Sequence, residues 1–122
     1  MDNHFANHWM TINITHLFFS VNIEMELYYP YPATNGKHKY YIITKTGKKV
    51  YFGALGYEDY TIHKNPIRKA RYIKRHSGMN ENWTKSGINT GGWWSRWLLW
   101  EEPNINDAYK KIRQDLLKWK II

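Results

Sequence analysis

Between residues 39 and 53, apolar and aromatic residues crowd into two short runs, Tyr40-Tyr41-Ile42-Ile43-Thr44 and Val50-Tyr51-Phe52, parted by Lys45-Thr46-Gly47-Lys48. β-branched and aromatic side chains fit a pleated surface, and Gly47 accepts the positive φ of a tight turn. The pattern therefore predicts a β-hairpin from Lys39 to Gly53. A lone hairpin is marginal in water, so a third strand or a helix must cover it. The segment around Glu26–Tyr29 is the candidate third strand. Tyr29-Pro30-Tyr31-Pro32 reads as an extended linker, because proline removes a donor and turns its predecessor away from the helical region.

After the hairpin the period changes from two to 3.6. Tyr60 to His76 reads as a helix with a short turn from Asp59 to Lys64 before it, Asn65 as its cap, Pro66 in the first turn and Gly78 at the close. Ile62, Ile67, Ala70 and Ile73 are placed to pack on the hairpin. Residues 80–92, rich in Asn, Ser, Thr and Gly, read as a loop. In the run Trp93-Trp94-Ser95-Arg96-Trp97-Leu98-Leu99-Trp100, Trp93, Trp97 and Trp100 share one helix face, and Trp94 and Leu98 another. Tryptophans at this spacing usually build a core, so Trp83, Trp94 and Trp97 are expected to be mostly buried. The sharper alternative is a platform on which bases stack beside Arg96. Glu101-Glu102-Pro103 ends that helix. Asn106 then caps an amphipathic helix from Asp107 to about Lys120, with Ala108, Ile112, Leu116 and Trp119 along one face. The fold class expected is α+β: a small antiparallel hairpin or sheet, a basic helix, a short Trp-rich helix and a C-terminal amphipathic helix. Residues 37–122 form a single compact basic domain in this reading. Residues 1–36 form an N-terminal arm, with Met25 as a candidate true start or, alternatively, a short strand from Thr11 to Val21.

Charge sharpens this outline. The 122 residues carry 18 Lys+Arg against 10 Asp+Glu, a net charge of +8. Residues 1–36 hold no Lys or Arg, whereas residues 37–76 hold eleven of them against Glu58 and Asp59 alone. An excess of this kind favours an anionic partner. Lys64, Arg68, Arg71 and Arg75 fall on one helical stripe with no acid between them, where like charges repel unless an anion lies along them. Lys45, Lys48 and Lys49 at the hairpin tip offer a second contact, and Arg96 a third. The competing reading is a solvated face whose arginines pair with Glu81, Glu101 or Glu102.

Several chemistries find no residues to carry them. The chain has no cysteine, which excludes a disulfide scaffold, a thiol nucleophile and cysteine-ligated metal. His63 and His76 stand thirteen apart, the wrong spacing for a metal pair. Asp59 and His63, at i and i+4, have the spacing of a general-base pair, but no nucleophile motif accompanies them. No phosphate loop or dinucleotide fingerprint occurs, no apolar run is long enough to span a bilayer, and the start lacks the basic residues of a secretory signal. No cofactor and no metal are therefore expected.

The blocks Val50-Tyr51-Phe52-Gly53-Ala54-Leu55-Gly56-Tyr57, Asp59-Tyr60-Thr61-Ile62-His63-Lys64, Glu81-Asn82-Trp83-Thr84-Lys85-Ser86-Gly87 and Trp94-Ser95-Arg96-Trp97-Leu98-Leu99-Trp100 are distinctive. Over about residues 38–104 the chain resembles an uncharacterised family of small basic proteins encoded by large nucleocytoplasmic DNA viruses, the giant-virus and algal-virus group. The resemblance implies a viral source and a protein of the virion or the infected host cell, and brings no established activity. A second, fainter likeness is to the GIY-YIG nuclease layout. That layout implies a hairpin tyrosine pair (Tyr41 and Tyr51), a helical arginine (Arg71) and a late metal-holding glutamate (Glu101 or Glu102). The chain departs from it in lacking Gly-Ile-Tyr and in carrying Phe52 where the second motif has isoleucine. The leading expectation is thus a non-enzymatic nucleic-acid-binding protein, weakly sequence-selective, acting in genome packaging or organisation. A virion structural or minor capsid protein that touches other virion proteins comes second, and a metal-dependent nuclease third.

Overall fold

The computed structural model describes residues 25–122; the expected strand over Thr11–Val21 and the segment that a start at Met25 would remove lie outside these. Three antiparallel strands, β1 (Tyr31–Pro32), β2 (His38–Ile43) and β3 (Lys49–Ala54), form a sheet in that order. Four α-helical segments follow: α1 (Tyr60–His63), α2 (Pro66–Ser77), α3 (Gly91–Trp94) and α4 (Ile105–Lys118). The fold is α+β, as the periodicities imply.

The β2–β3 hairpin turns where Gly47 takes φ +86° and donates to the Thr44 carbonyl at 2.8 Å. Its register sets Tyr40 opposite Phe52 and Ile42 opposite Val50, so that alternate side chains enter one core. The third strand is not at Glu26–Tyr29. Tyr31 and Pro32 pair with Tyr41 and Tyr40, and a proline is tolerated there because β1 is an edge. Upstream, the Tyr28 amide donates to the Ile43 carbonyl at 2.9 Å, and Tyr28, Tyr29 and Tyr31 are buried. The segment read as a linker is therefore part of the packed domain, and the expected boundary at residue 37 moves toward the N-terminus.

Asp59 caps α1, Lys64 breaks it with φ 54°, and Asn65 caps α2 by accepting from the amides of Ile67 and Arg68. The basic segment is thus two helices, and Lys64 lies in the joint between them. Ile62 and Ile67, expected against the hairpin, are 53% and 63% exposed. Only Tyr72 of α2 is buried. Its ring lies between those of Trp100 and His76, each with a centroid distance of 4.2 Å, and is nearly parallel to the indole at 2°.

The Trp-rich run begins as α3 and continues as a π-helical turn over Ser95–Leu99. The wider turn rotates later side chains away from their 3.6-residue positions. Trp93, Trp94, Leu98 and Leu99 become fully buried, while Trp97 and Trp100 are only partly covered. Trp83 is likewise half-buried rather than central. The buried Trp94 indole donates to the Ile88 carbonyl at 2.8 Å, and its ring meets Phe52 of the sheet. Gly91 permits this approach, because a Cβ there would lie 2.7 Å from the Tyr51 carbonyl oxygen. Helix α4 closes the core with Ala108, Ile112 and Leu116. Its cap is Asn104, not Asn106: the Asn104 side chain accepts from the amides of Asn106 and Asp107.

Emptying the Trp94 site is expected to cost about 3–5 kcal/mol, the range for a large core aromatic replaced by alanine. Trp97→Ala is expected to cost clearly less, since part of that ring already meets solvent. Urea unfolding of the two variants checks the order; equal losses would contradict the burial pattern.

Candidate nucleic-acid interface

A cleft of about 700 Å³ opens between the open end of the hairpin and α2. Lys37, His38 and Lys39 reach it from the start of β2, and Arg68, Arg71 and Arg75 from α2. The helix supplies its three arginines at i, i+3 and i+7, one side of α2. Tyr51, Tyr72 and Trp100 add aromatic surface to the lining.

Three carboxylates also line the cleft, and each has a partner. Arg68 Nη1 donates to Glu58 Oε1 at 2.9 Å, Lys39 Nζ to Asp59 Oδ2 at 2.7 Å, and His76 Nδ1 lies 3.0 Å from Glu81 Oε2. Asp59 is nearly buried and also caps α1 through the Thr61 amide. These pairings leave Lys37, Arg71 and Arg75 without an ion pair among the described residues, all three exposed. The uncompensated charge of the cleft therefore sits on its rim, on both walls.

The other expected contacts lie elsewhere. Lys45, Lys48 and Lys49 are exposed near the turn. The register places Ile43 and Lys49 at one end of the hairpin and His38 and Ala54 at the other, so the tip is about 16 Å from the His38 end of the cleft at 3.3 Å per residue. Lys49 Nζ lies 4.8 Å from the Tyr41 ring centroid. Lys64 is not on the stripe: its Nζ donates to the carbonyls of Thr61 and Pro103 at 3.1 and 2.6 Å. Arg96 is a correction of a different kind. It is 9% exposed, its guanidinium carbon lies 4.3 and 5.5 Å from the ring centroids of Trp97 and Trp83, and its Nη1 donates to Glu101 at 2.8 Å. A guanidinium held this way braces the core and is not placed to meet a phosphate.

Glu101 receives Lys69 as well as Arg96, with Lys69 Nζ also donating to the Glu101 carbonyl at 2.7 Å, and Glu102 pairs with Lys111. Neither glutamate reaches the cleft in which Tyr51 and Arg71 stand, so the late carboxylate of the nuclease layout is committed elsewhere. Asp59 and His63 form no general-base pair either. His63 Nδ1 accepts from the Asn65 amide at 2.9 Å, while burial and the neighbouring Arg68 charge lower its proton affinity. Among the described residues no cluster of His, Asp or Glu has the makings of a metal site, and no helix is long and apolar enough to cross a membrane. Two contributors were not singled out from the sequence: Lys37, whose position before β2 gives no periodic signal, and Tyr57, 74% exposed on the cleft lining.

Residues 31–76 match the model of a family described as a family of unknown function (DUF5754). The match covers less than half of the chain, but it holds the sheet and α2, and hence both walls of the cleft. No curated protein and no solved structure matches the chain significantly.

Burial works against the charge of Glu101, and the hydrogen bonds and charges of Arg96 and Lys69 outweigh it, so its carboxyl titrates below the usual range. A depressed carboxylate stabilises the fold above its unfolded pKa of about 4.3 and loses that effect as pH falls through the folded value. Wild type is accordingly expected to exceed Glu101→Gln in stability by a constant margin near neutral pH, and the margin should close in acid below about pH 4. Chemical denaturation across pH tests this; a margin that widens in acid would contradict the assignment.

Proposed function

We propose that the protein binds nucleic acid through its phosphates, without reading base sequence, in the cleft between the hairpin and α2. The observation that carries this reading is the pattern of charge pairing. Every carboxylate of the cleft has a partner, and Lys37, Arg71 and Arg75 remain unmatched and exposed. Unpaired cations on opposing walls repel one another and are relieved by a polyanion, with release of its condensed counterions. Placement in a virion or an infected cell, as an organiser of the genome, follows from the viral resemblance alone.

A second reading has its own observation. Ile62 and Ile67 are exposed beside the basic face, and apolar residues with arginines are common at protein interfaces. On that reading the protein is a structural component that touches other virion proteins.

The test is binding of mixed-sequence oligonucleotides over a range of salt. Arg71→Ala with Arg75→Ala is expected to weaken binding to all sequences alike and to lower the salt slope by about two. The fold should persist, since neither arginine has an ion partner to lose. Unchanged affinity in a folded double variant would transfer the cleft to the protein-interface reading. The nucleic acid itself should stay intact with magnesium or manganese. Cleavage that disappears in Tyr51→Phe and Arg71→Ala would replace a binding role by a nuclease.

A further inference from the structure

We propose that the cleft is built for a single strand, with an unpaired base stacked on Tyr57 while Lys37, Arg71 and Arg75 hold the adjoining phosphates. This rests on the phosphate-binding reading above and adds the class of nucleic acid.

Tyr57 follows β3 in a turn that includes Gly56 at φ +88°. Its amide donates back to Ala54 at 3.3 Å, while its side chain stands 74% exposed in the cleft lining. Its ring has no aromatic partner among the described residues, whereas most tyrosines of this sheet do. A single exposed tyrosine is ordinary on a protein surface. This one faces a cleft whose surplus charge is positive, and a second tyrosine shares the lining. Tyr51 is held in place by Tyr41 and His38, each at a centroid distance of 5.5 Å. That ring is thus committed to its neighbours, and the cleft offers the free ring of Tyr57 beside three unpaired cations, the combination by which single strands are bound without sequence preference.

A duplex does not use this combination. Its phosphates would meet Arg71 and Arg75, but its bases are stacked and paired, and their faces are closed to a tyrosine ring. A volume of about 700 Å³ lies within the range of pockets that enclose a ligand of drug-like size. A nucleotide or two fits that description.

The experiment compares a single-stranded oligonucleotide of about twelve nucleotides, within the span of known single-strand sites, with the duplex of the same sequence. The single strand should bind more tightly. Tyr57→Ala should reduce its affinity about 5- to 150-fold, the equivalent of one stacked base, with the salt slope and the duplex affinity unchanged. Tyr57→Phe should restore it, because stacking needs the ring and not the hydroxyl. Tyr57 is exposed, so circular dichroism should show the fold intact. If Tyr57→Ala binds the single strand like wild type while the Arg71/Arg75 double variant binds weakly, stacking is refuted and phosphate binding stands. Tighter binding of the duplex would also refute it. If neither form binds, the phosphate reading falls and this one with it.

Discussion

The near-parallel stack of Tyr72 on Trp100 is the contact on which the architecture of the cleft depends. Helix α2 buries no other side chain, and its isoleucine at position 67 points to solvent. The basic helix is therefore fastened by a ring stack, with His76 on the far face of Tyr72 and Lys69 anchored on Glu101. Aromatic pairs of this kind contribute about 0.5–1.5 kcal/mol beyond the area they bury. That suffices to fix one wall of a cleft because the other end of the stack is rigid. Trp100 closes a helical run whose neighbours Leu98 and Leu99 are sealed in the core.

The tryptophans thus serve mainly as a scaffold. Trp93 and Trp94 fill the space between sheet and α4, and Trp97 and Trp83 enclose the guanidinium of Arg96. A charged group taken from water needs compensation, and here two indole faces and the Glu101 carboxylate supply it. Arg96 belongs to the stability of the domain, and the same carboxylate that steadies it also draws Lys69, and with it α2, toward the Trp-rich segment.

Electrostatics separates the basic residues that have an ion partner from those of the cleft that do not. Lys39, Arg68, Lys69, Arg96, Lys111 and Arg113 each meet a carboxylate. Lys37, Arg71 and Arg75 do not, and all three open onto the same concavity. Net charge does not show this; the concavity is where three unpaired cations converge from two walls. The family of unknown function to which residues 31–76 are similar spans both cationic walls, whereas the Trp-rich brace behind them lies outside the matched segment.

The alternating run from Tyr40 to Phe52, the turn at Gly47, the caps Asn65 and Pro66 and the apolar face of α4 were legible from local pattern. Each is decided by contacts within a few residues or by a regular period. The N-terminal edge strand was not, because two prolines mask a strand whose pairing depends on β2. The π turn at Ser95–Leu99 was hidden too, since a 3.6-residue period assigns Arg96 to a free face and Trp97 to the core, and packing against α4 and the sheet decides otherwise. The sequence by itself determined the fold class, the basic middle third and the candidacy of Arg68, Arg71 and Arg75. Only the tertiary structure decided that Arg68 is matched by Glu58, that Arg96 and Lys64 are occupied, that the hairpin lysines stand at the far end, and that Lys37 and Tyr57 join the cleft. The reason is physical: a charge is available to a ligand only if no partner reaches it first, and that depends on residues five to forty positions away in the chain.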